Sequence, residues 1–557
     1  MITRKAPLTC DVFVAGGGIA GLMAAIAAAE EGASVILAEK ANTNRSGSGA
    51  TGNDHMLCYI PEVHGEDPSA WLAEAESSQI GGYNDMDMFR FYTTQIFDRV
   101  KQWDEWGIPM RPNGDWEFNG HAKPDHMRIW LKYAGQDQKI VLTKQALKRG
   151  VKILNRTPFN EVITNAEGAA IGAVCVDLNG EKPEIQVISA KSVVLATGHT
   201  SRLYTPKTPN WIFNTANCPA CNGAGRAAAW RAGARLVNMD LPMHHAGPKY
   251  FTRCGKATWI GVYSDMNGKP VGPFVTKPTK ELGDITGDIW MDMFPEKYKA
   301  GEPVFMNCKG IAEEDLAYMW WGLSNEGNTG LMDHMEDEGI DLHKHMVEFH
   351  HYEPILIGRG IDANVRCETT VPGLYAASEE LGNFRADMGG AVVFGYESGR
   401  QAALSAKNKC LEDAHSSVIV DCCAELYDNI LSREAGTGSP DWKEINTAVQ
   451  QIMSDYCALE VRSEHLLSVG LEYIRRIQKK AEQMACTDVH TFMRCLEARD
   501  LAQVAELVIL CARERKESRG KHKRVDYTYT NPMNNNKFVT IQKVNGAPEI
   551  GWRKKNA

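Results

Sequence analysis

Several features are missing from this chain of 557 residues. No apolar run reaches the roughly 20 residues needed to span a bilayer, so no direct membrane insertion is expected. The first residues carry Arg4 and Lys5 but no apolar stretch of their own. An export leader is therefore not expected, and the expected location is cytoplasmic. A basic surplus is missing too: 61 Lys and Arg stand against 70 Asp and Glu, a net charge of −9. Duplex-binding proteins are usually basic, so nucleic acid is not expected as a partner. The 15 cysteines contain one lone CxxC pair, Cys218-Pro-Ala-Cys221. No four-cysteine set fits an internal iron–sulfur cluster, and no metal site is expected. An odd number of thiols without a leader reads as reduced cysteines. Internal repeats and low-complexity tracts are also lacking.

What is present is an ordinary globular composition, 43% hydrophobic and 24% charged. The length is too great for one core and suits two or three domains. Residues 11–15 read as a buried strand. It runs into Gly16-Gly-Gly18-Ile19-Ala20-Gly21 and an alanine-rich helix over 22–30. A second strand, 34–38, ends at Glu39, completing a βαβ unit. Residues 60–150 are mixed and mostly helical. Strands return at 152–154, 170–177, 185–189 and 192–196. The stretch 240–345 is rich in Gly, Pro, Met and Trp and reads as an inserted domain. The α/β pattern resumes with a strand at 373–377 and a glycine-led helix at 389–403. Helical periodicity dominates from 411, above all over 463–485 and 488–517. The expected division is 1–240, 241–345, 346–410, 411–520 and an extended basic tail over 521–557.

The glycine pattern carries the strongest chemistry. Gly16 permits a tight turn, Gly18 lets the backbone approach a pyrophosphate, and Gly21 lets helix and strand pack closely. Glu39, 18 residues after Gly21, is placed to accept from ribose hydroxyls. Lys40 follows it. The next loop, Arg45-Ser46-Gly47-Ser48 through Gly52-Asn53, is polar and glycine-rich, suited to a planar ring held by backbone groups. Together with Ala196-Thr197-Gly198 and the 373–379 segment ending in Glu379, it points to FAD rather than a nicotinamide. Ala391 and Val392 in the glycine-led helix complete the expected cofactor contacts.

These motifs, in this order, resemble the flavoprotein subunits of the fumarate reductase and succinate dehydrogenase superfamily. That superfamily includes L-aspartate oxidase and the adenylylsulfate reductase α subunit. Further marks are Asn222-Gly-Ala-Gly-Arg226, Arg231-Ala-Gly-Ala234, Val393-Phe-Gly395 and the stretch from Arg515 to His522 with Arg524 and Asp526. The resemblance covers nearly the whole chain. It implies an α/β fold: a Rossmann-like FAD-binding domain, an inserted α+β capping domain and a C-terminal helical domain. It implies noncovalent FAD, because Gly47 stands where covalent members carry a histidine. The loop around Gly47, Glu302-Pro-Val-Phe-Met306 and Glu353-Pro354-Ile-Leu-Ile-Gly358 are most similar to adenylylsulfate reductase. The implied function is an oxidoreductase subunit moving electrons between a small anionic substrate at flavin N5 and a ferredoxin-like iron–sulfur subunit, in a hetero-oligomer. Two alternatives stand beside it: an electron relay with no substrate of its own, and a dicarboxylate oxidoreductase acting on fumarate, succinate or aspartate. Departures narrow the branch. Asp387 and Met388 precede Gly389-Gly390 where dicarboxylate enzymes place an arginine, with Arg385 displaced. Ala224 replaces the Asp of the usual Thr-Gly-Asp-Gly, and Arg359 stands near the place of the adenylylsulfate reductase histidine.

The candidate substrate groups are His245, His351, Arg359 and Arg385. His245 falls where the superfamily has a histidine facing the flavin, able to bond an anion or pass a proton. A core histidine is the plain alternative. His351-Tyr352 resembles a carboxylate-binding pair, with His343, His345 and His350 nearby. The two arginines suit bidentate anion recognition, or else structural ion pairs. Cys218 and Cys221 read as packing thiols or a redox pair. Met319-Trp320-Trp321 reads as core or as an aromatic lid, and residues 513–523 as a solvated basic face or a docking surface.

Overall fold

The computed structural model describes residues 1–78, 82–119, 127–206, 212–215, 217–249, 258–272, 275–282, 293–436 and 438–557. Its central sheet grows from apolar, β-branched segments buried on both faces. β1 (Leu8–Ala15) is followed by α1 (Ile19–Glu30) and β2 (Val35–Ala38). After α2 (Met86–Glu105) and α3 (Gln138–Lys148) come β3 (Lys152–Leu154), β4 (Phe159–Thr164), β5 (Ala170–Asp177) and β6 (Glu184–Leu195). The strand order is β3-β2-β1-β6-β5-β4. β3, β2, β1 and β6 run parallel, with Val12 opposite Val35 and Val14 opposite Val194. β5 and β4 add antiparallel strands at one edge. The cofactor turn therefore leaves the sheet at the carboxyl end of β1, between two parallel neighbours, where doubly wound folds place their ligands.

α4 (Ala224–Arg231) leads to a region with its own core of Trp259, Phe294, Met306, Met319 and Phe349. Four antiparallel strands cross it in the order β7 (Ala246–Pro248), β10 (Val347–His351), β9 (Val304–Asn307), β8 (Val262–Ser264). α5 (Glu313–Asn325) packs on it. Met319 is buried in that core, Trp320 packs against it, and Trp321 lies against Lys132, whose Nζ sits 4.5 Å from its ring. Met319 and Trp320 are thus core packing, and Trp321 is a cation–π partner of Lys132.

The chain returns as β11 (Leu374–Ala376), which pairs with the end of β6. α6 (Asp387–Ala406) then lies along α1. Gly395 and Gly399, one turn apart, make that approach possible: a Cβ at Gly399 would stand 1.9 Å from Ala24 O. Four helices follow: α7 (Val418–Leu431), α8 (Trp442–Tyr456), α9 (Glu464–Ala481) and α10 (Val489–Glu514). Side-chain caps from Ser417, Asp441, Ser463 and Asp488 start all four. Cys423 turns inward from α7 and Cys422 outward.

Two expectations are corrected here. Residues 521–557 are not an extended tail. β12 (Lys537–Val544) and β13 (Ala547–Lys554) form a hairpin around Asn545 and Gly546, both at positive φ. β12 pairs with Leu236–Val237, and Arg553 Nη2 lies 2.6 Å from both Asp85 and Asp362. The basic run over 513–523 is not a solvated face either. Arg515 and, just past the run, Arg524 are buried because acids meet them, Asp240 and Glu517 at Arg515 and Asp526 at Arg524, while buried His522 accepts from Arg462 and donates to Arg515 O. Among the described residues, no helix is long and apolar enough to cross a membrane.

Candidate functional site

One cavity of about 510 Å³ runs from the first turn of α1 to His245. Its first end is made by backbone. Gly16, at φ +99°, turns the chain so closely that a Cβ there would stand 2.4 Å from Ala196 O. A Cβ on Gly21 would stand 1.8 Å from Gly16 O. Gly18 has no atom of another described segment within 4 Å of its Cβ position and lines the cavity with Ile19 and Ala20. It is also the N-cap of α1, and no side chain caps that helix. The first N–H groups of α1 thus face open space, an anion site by geometry and by the helix dipole.

Side chains then secure this turn. Glu39 accepts from Gly17 N at 2.7 Å and Ala41 N at 2.8 Å. Lys139 of α3 donates to Gly17 O, and burial pushes its ammonium down to about 8. Nothing in the local sequence around Lys139 signals that contact. Lys40 does not point freely at a cofactor: it is ion-paired with Glu497 at 2.6 Å and donates to Ala220 O. Burial opposes the charge of Glu497, yet Lys40, Arg202 and Arg494 hold its carboxyl far below the usual range.

In the middle of the cavity, Arg45, Ser46, Gly47, Ser48, Gly52 and Asn53 form one wall and Ala196, Thr197, Gly198 and Glu379 another. Ser46 Oγ is buried with no hydrogen-bond partner among the described residues. Ser48 Oγ lies 3.3 Å from His199 Nδ1, which is 3.0 Å from Glu379 Oε2. Behind them Arg226 is fully buried and donates to Gly198 O at 2.7 Å and Arg359 O at 2.6 Å. It ties three returns of the chain together, which explains its place in the motif. Glu380 beside it accepts from Thr197 Oγ1, and burial pushes its carboxyl up to about 7 despite Arg226. The uncapped helix, the open space at Gly18 and the orphaned Ser46 hydroxyl fit a diphosphate-bearing dinucleotide. Gly47 offers no side chain for a covalent tether. Ala391 lines the cavity, whereas Val392 is turned into the core.

The far end is made by side chains. Asn53, His55, Trp130, His245, Glu326, Asp387 and Met388 line it. His245 is buried, and its carbonyl accepts from Tyr352 N at 2.6 Å, fixing it beside β10. His351, Arg359 and Arg385 are not among the lining residues. His351 packs against His244, ring centroids 4.8 Å apart, and His244 Nε2 lies 3.6 Å from Glu460. Arg359 donates to Leu241 O and Gly358 O and stacks 4.3 Å over Tyr83. Arg385 is bound by Asp387, at 2.8 Å and 3.3 Å.

A group missed by sequence reasoning joins this end to the inserted region. Asp54 Oδ1 lies 2.5 Å from His55 Nδ1, and Thr258 Oγ1 donates to Asp54 Oδ2 at 2.5 Å. Thr258 N donates to Glu326 Oε2 at 3.0 Å. Burial works against the Asp54 charge, but His55 and Thr258 hold its carboxyl below its ordinary value. Asp54, His55 and Glu326 each offer one metal-ligating atom within 4.8 Å of the others, as do His244, His351 and Glu460.

The family described as FAD binding domain matches residues 11–392, more than half of the chain. The chain belongs to this FAD-binding family. Residues 446–556 match the family described as fumarate reductase flavoprotein C-term. An uncharacterized FAD-dependent oxidoreductase of Methanocaldococcus jannaschii is 25% identical, with 78% of this chain and 77% of that protein aligned. A fumarate reductase (CoM/CoB) chain of Methanothermobacter marburgensis is 23% identical over 94% of this chain and 95% of its own length. The solved adenosine-5-phosphosulfate reductase in complex with sulfite as a covalent adduct superposes with a TM-score of 0.84 at 19% identity. That superposition covers 100% of this chain and 97% of the other, and shows the same fold. The protein is an FAD-dependent oxidoreductase whose C-terminal part matches the fumarate reductase flavoprotein model. The α/β fold with FAD-binding and C-terminal helical regions is the fold expected from the sequence.

Proposed function

We propose that this flavoprotein moves electrons between a small anionic substrate, met at the His245 end of the cavity, and an iron–sulfur partner in a hetero-oligomer. The observation carrying this is continuity: an uncapped helix N-terminus and a buried imidazole line one cavity of about 510 Å³. FAD, when bound, supplies chemistry that joins two-electron substrates to one-electron carriers. The α1 amides, Ser46 and Glu379 hold and orient it. His245 holds an anion or passes a proton at its imidazole. His245, the residue just before β7, brings the inserted region to that end of the cavity and limits water there.

A small oxyanion such as sulfite needs one clamping cation fewer than a dicarboxylate. Asp387 already occupies the fork of Arg385, so that guanidinium is not offered to a second carboxylate. The solved relative carrying sulfite has the same fold. The Arg385–Asp387 pair also favours the relay reading, in which no substrate binds. The aligned length of the fumarate reductase relative favours a dicarboxylate. Anaerobic photoreduction of the FAD-loaded protein, followed by titration with sulfite with and without AMP, fumarate and succinate, separates the three. A flavin spectrum altered by sulfite supports the proposal. Reoxidation by fumarate alone moves the substrate to dicarboxylates, and response to a reduced ferredoxin but to none of the anions establishes the relay.

A further inference from the structure

The lone CxxC pair lies in the wall of the FAD cavity. Cys218 and Cys221 both line that cavity, Cys218 half-buried and Cys221 buried. The chain between them closes a turn, with Cys221 N donating to Cys218 O at 3.1 Å. Cys221 Sγ is 3.2 Å from the Cβ position of Gly198, in the wall opposite the glycine loop. Lys40 grips the same turn through Ala220 O and Asn222 Oδ1. Its ammonium therefore stands over the peptide that links the two thiols.

The surroundings treat this pair differently from the other cysteines. Burial pushes Cys10 and Cys308 up to about 12, and Cys367 and Cys511 also up. These thiols stay protonated and inert. The Cys218 thiol goes the other way, down to about 6, because the Cys221 thiol donates to it and His199, Ala220 N and Lys40 add to the effect. Among the described residues it is the one cysteine shifted down.

We infer that Cys218 and Cys221 are a redox-active dithiol in the FAD cavity wall, reacting with low-molecular-weight disulfides. The Cys218 thiolate, its proton given to solvent, attacks one sulfur of the small disulfide; a mixed disulfide forms and one thiolate leaves. Cys221 then gives up its own proton and attacks the Cys218 sulfur, and the second small thiolate leaves. The two protons return to the two released thiolates. Counted from the dithiol, the protein loses two electrons and two protons, and the small disulfide becomes two thiols. The resulting Cys218–Cys221 bridge locks the turn that Lys40 holds.

The test uses the FAD-loaded protein, cystamine as disulfide and peptide mass spectrometry. At pH 6.5, Cys218 should react with iodoacetamide roughly ten-fold faster than the exposed Cys410 and Cys422. Cystamine should convert the wild-type 218–221 peptide to an internal disulfide. C221S should stop at a cysteamine mixed disulfide on Cys218, and C218S should give neither. Unchanged circular dichroism and melting temperature in both variants show that they are folded. The proposal is overturned if Cys218 labels no faster than Cys410, or if C221S traps no mixed disulfide.

Discussion

The two ends of the cavity are built from different material. At the α1 end the contact surface is backbone: the Gly16 turn, open Gly18, and amides that no side chain caps. Charged side chains there serve the wall, as Glu39 serves Gly17 and Lys40 serves Glu497. At the His245 end the surface is side chain, and the lining residues Asp387 and His55 are matched by partners behind them, Arg385 and Asp54. Backbone geometry tolerates little change but needs no particular side chain. Side-chain geometry can be rewritten by one substitution. The cofactor end is therefore the fixed part of the protein, and the substrate end the adjustable one.

The largest test of this contrast is Gly21→Ala. Its methyl group would stand 1.8 Å from Gly16 O, a backbone atom that cannot swing away. FAD content of the purified variant should fall to roughly a tenth of wild type or less, since overpacking here moves the turn itself. Near-normal flavin-to-protein absorbance would show that the turn can give.

Next comes Glu380, buried behind Thr197. Its folded carboxyl sits at about 7 against an ordinary 4.5. The folded state keeps a proton that the unfolded state releases in that window. Stability from this group is therefore full below 4.5 and is lost as pH rises to about 7, by about 3 kcal/mol in all. Glu380→Gln should flatten that part of the Tm-against-pH curve. A curve of unchanged slope would contradict the assignment.

The smallest effect belongs to the adjustable end. Asp387→Asn keeps the shape but releases the charge on Arg385. Succinate or fumarate should then bind about three- to ten-fold tighter by flavin-spectral titration, with FAD content unchanged. No gain would mean that Arg385 stays directed away from the cavity.

Much of the fixed end is legible in the sequence because it is local. A strand, three spaced glycines, a helix and an acid follow one another within residues 11–39, and each has its own backbone reason. The hairpin at 537–554 is legible on one signal and hidden by another. Lys537–Val544 is rich in β-branched residues and is followed by Asn545-Gly546, a strong hairpin-turn signal. The net basic charge of the segment points instead to a tail, and it misleads because Asp85 and Asp362 neutralise Arg553 from far off in sequence. The adjustable end is not legible in this way. Asp54 and Glu326 are brought together by Thr258 from three distant segments. Arg515 and Arg524 look like a surface run because spacing along the chain does not reveal burial. One neutralising partner, Asp240, is also remote. Arg385 has its partner two residues away, but spacing does not tell an ion pair from a free clamp.

The most direct test of the division between the ends compares His245→Gln with wild type in an anaerobic stopped-flow instrument. Two rates are needed for the bound flavin: reaction with the anion found by titration, and photoreduction without it. The account predicts that FAD content and photoreduction stay as in wild type, while the anion reaction slows by roughly a hundred-fold. Equal anion rates in the two proteins, or loss of FAD with the substitution, would contradict it.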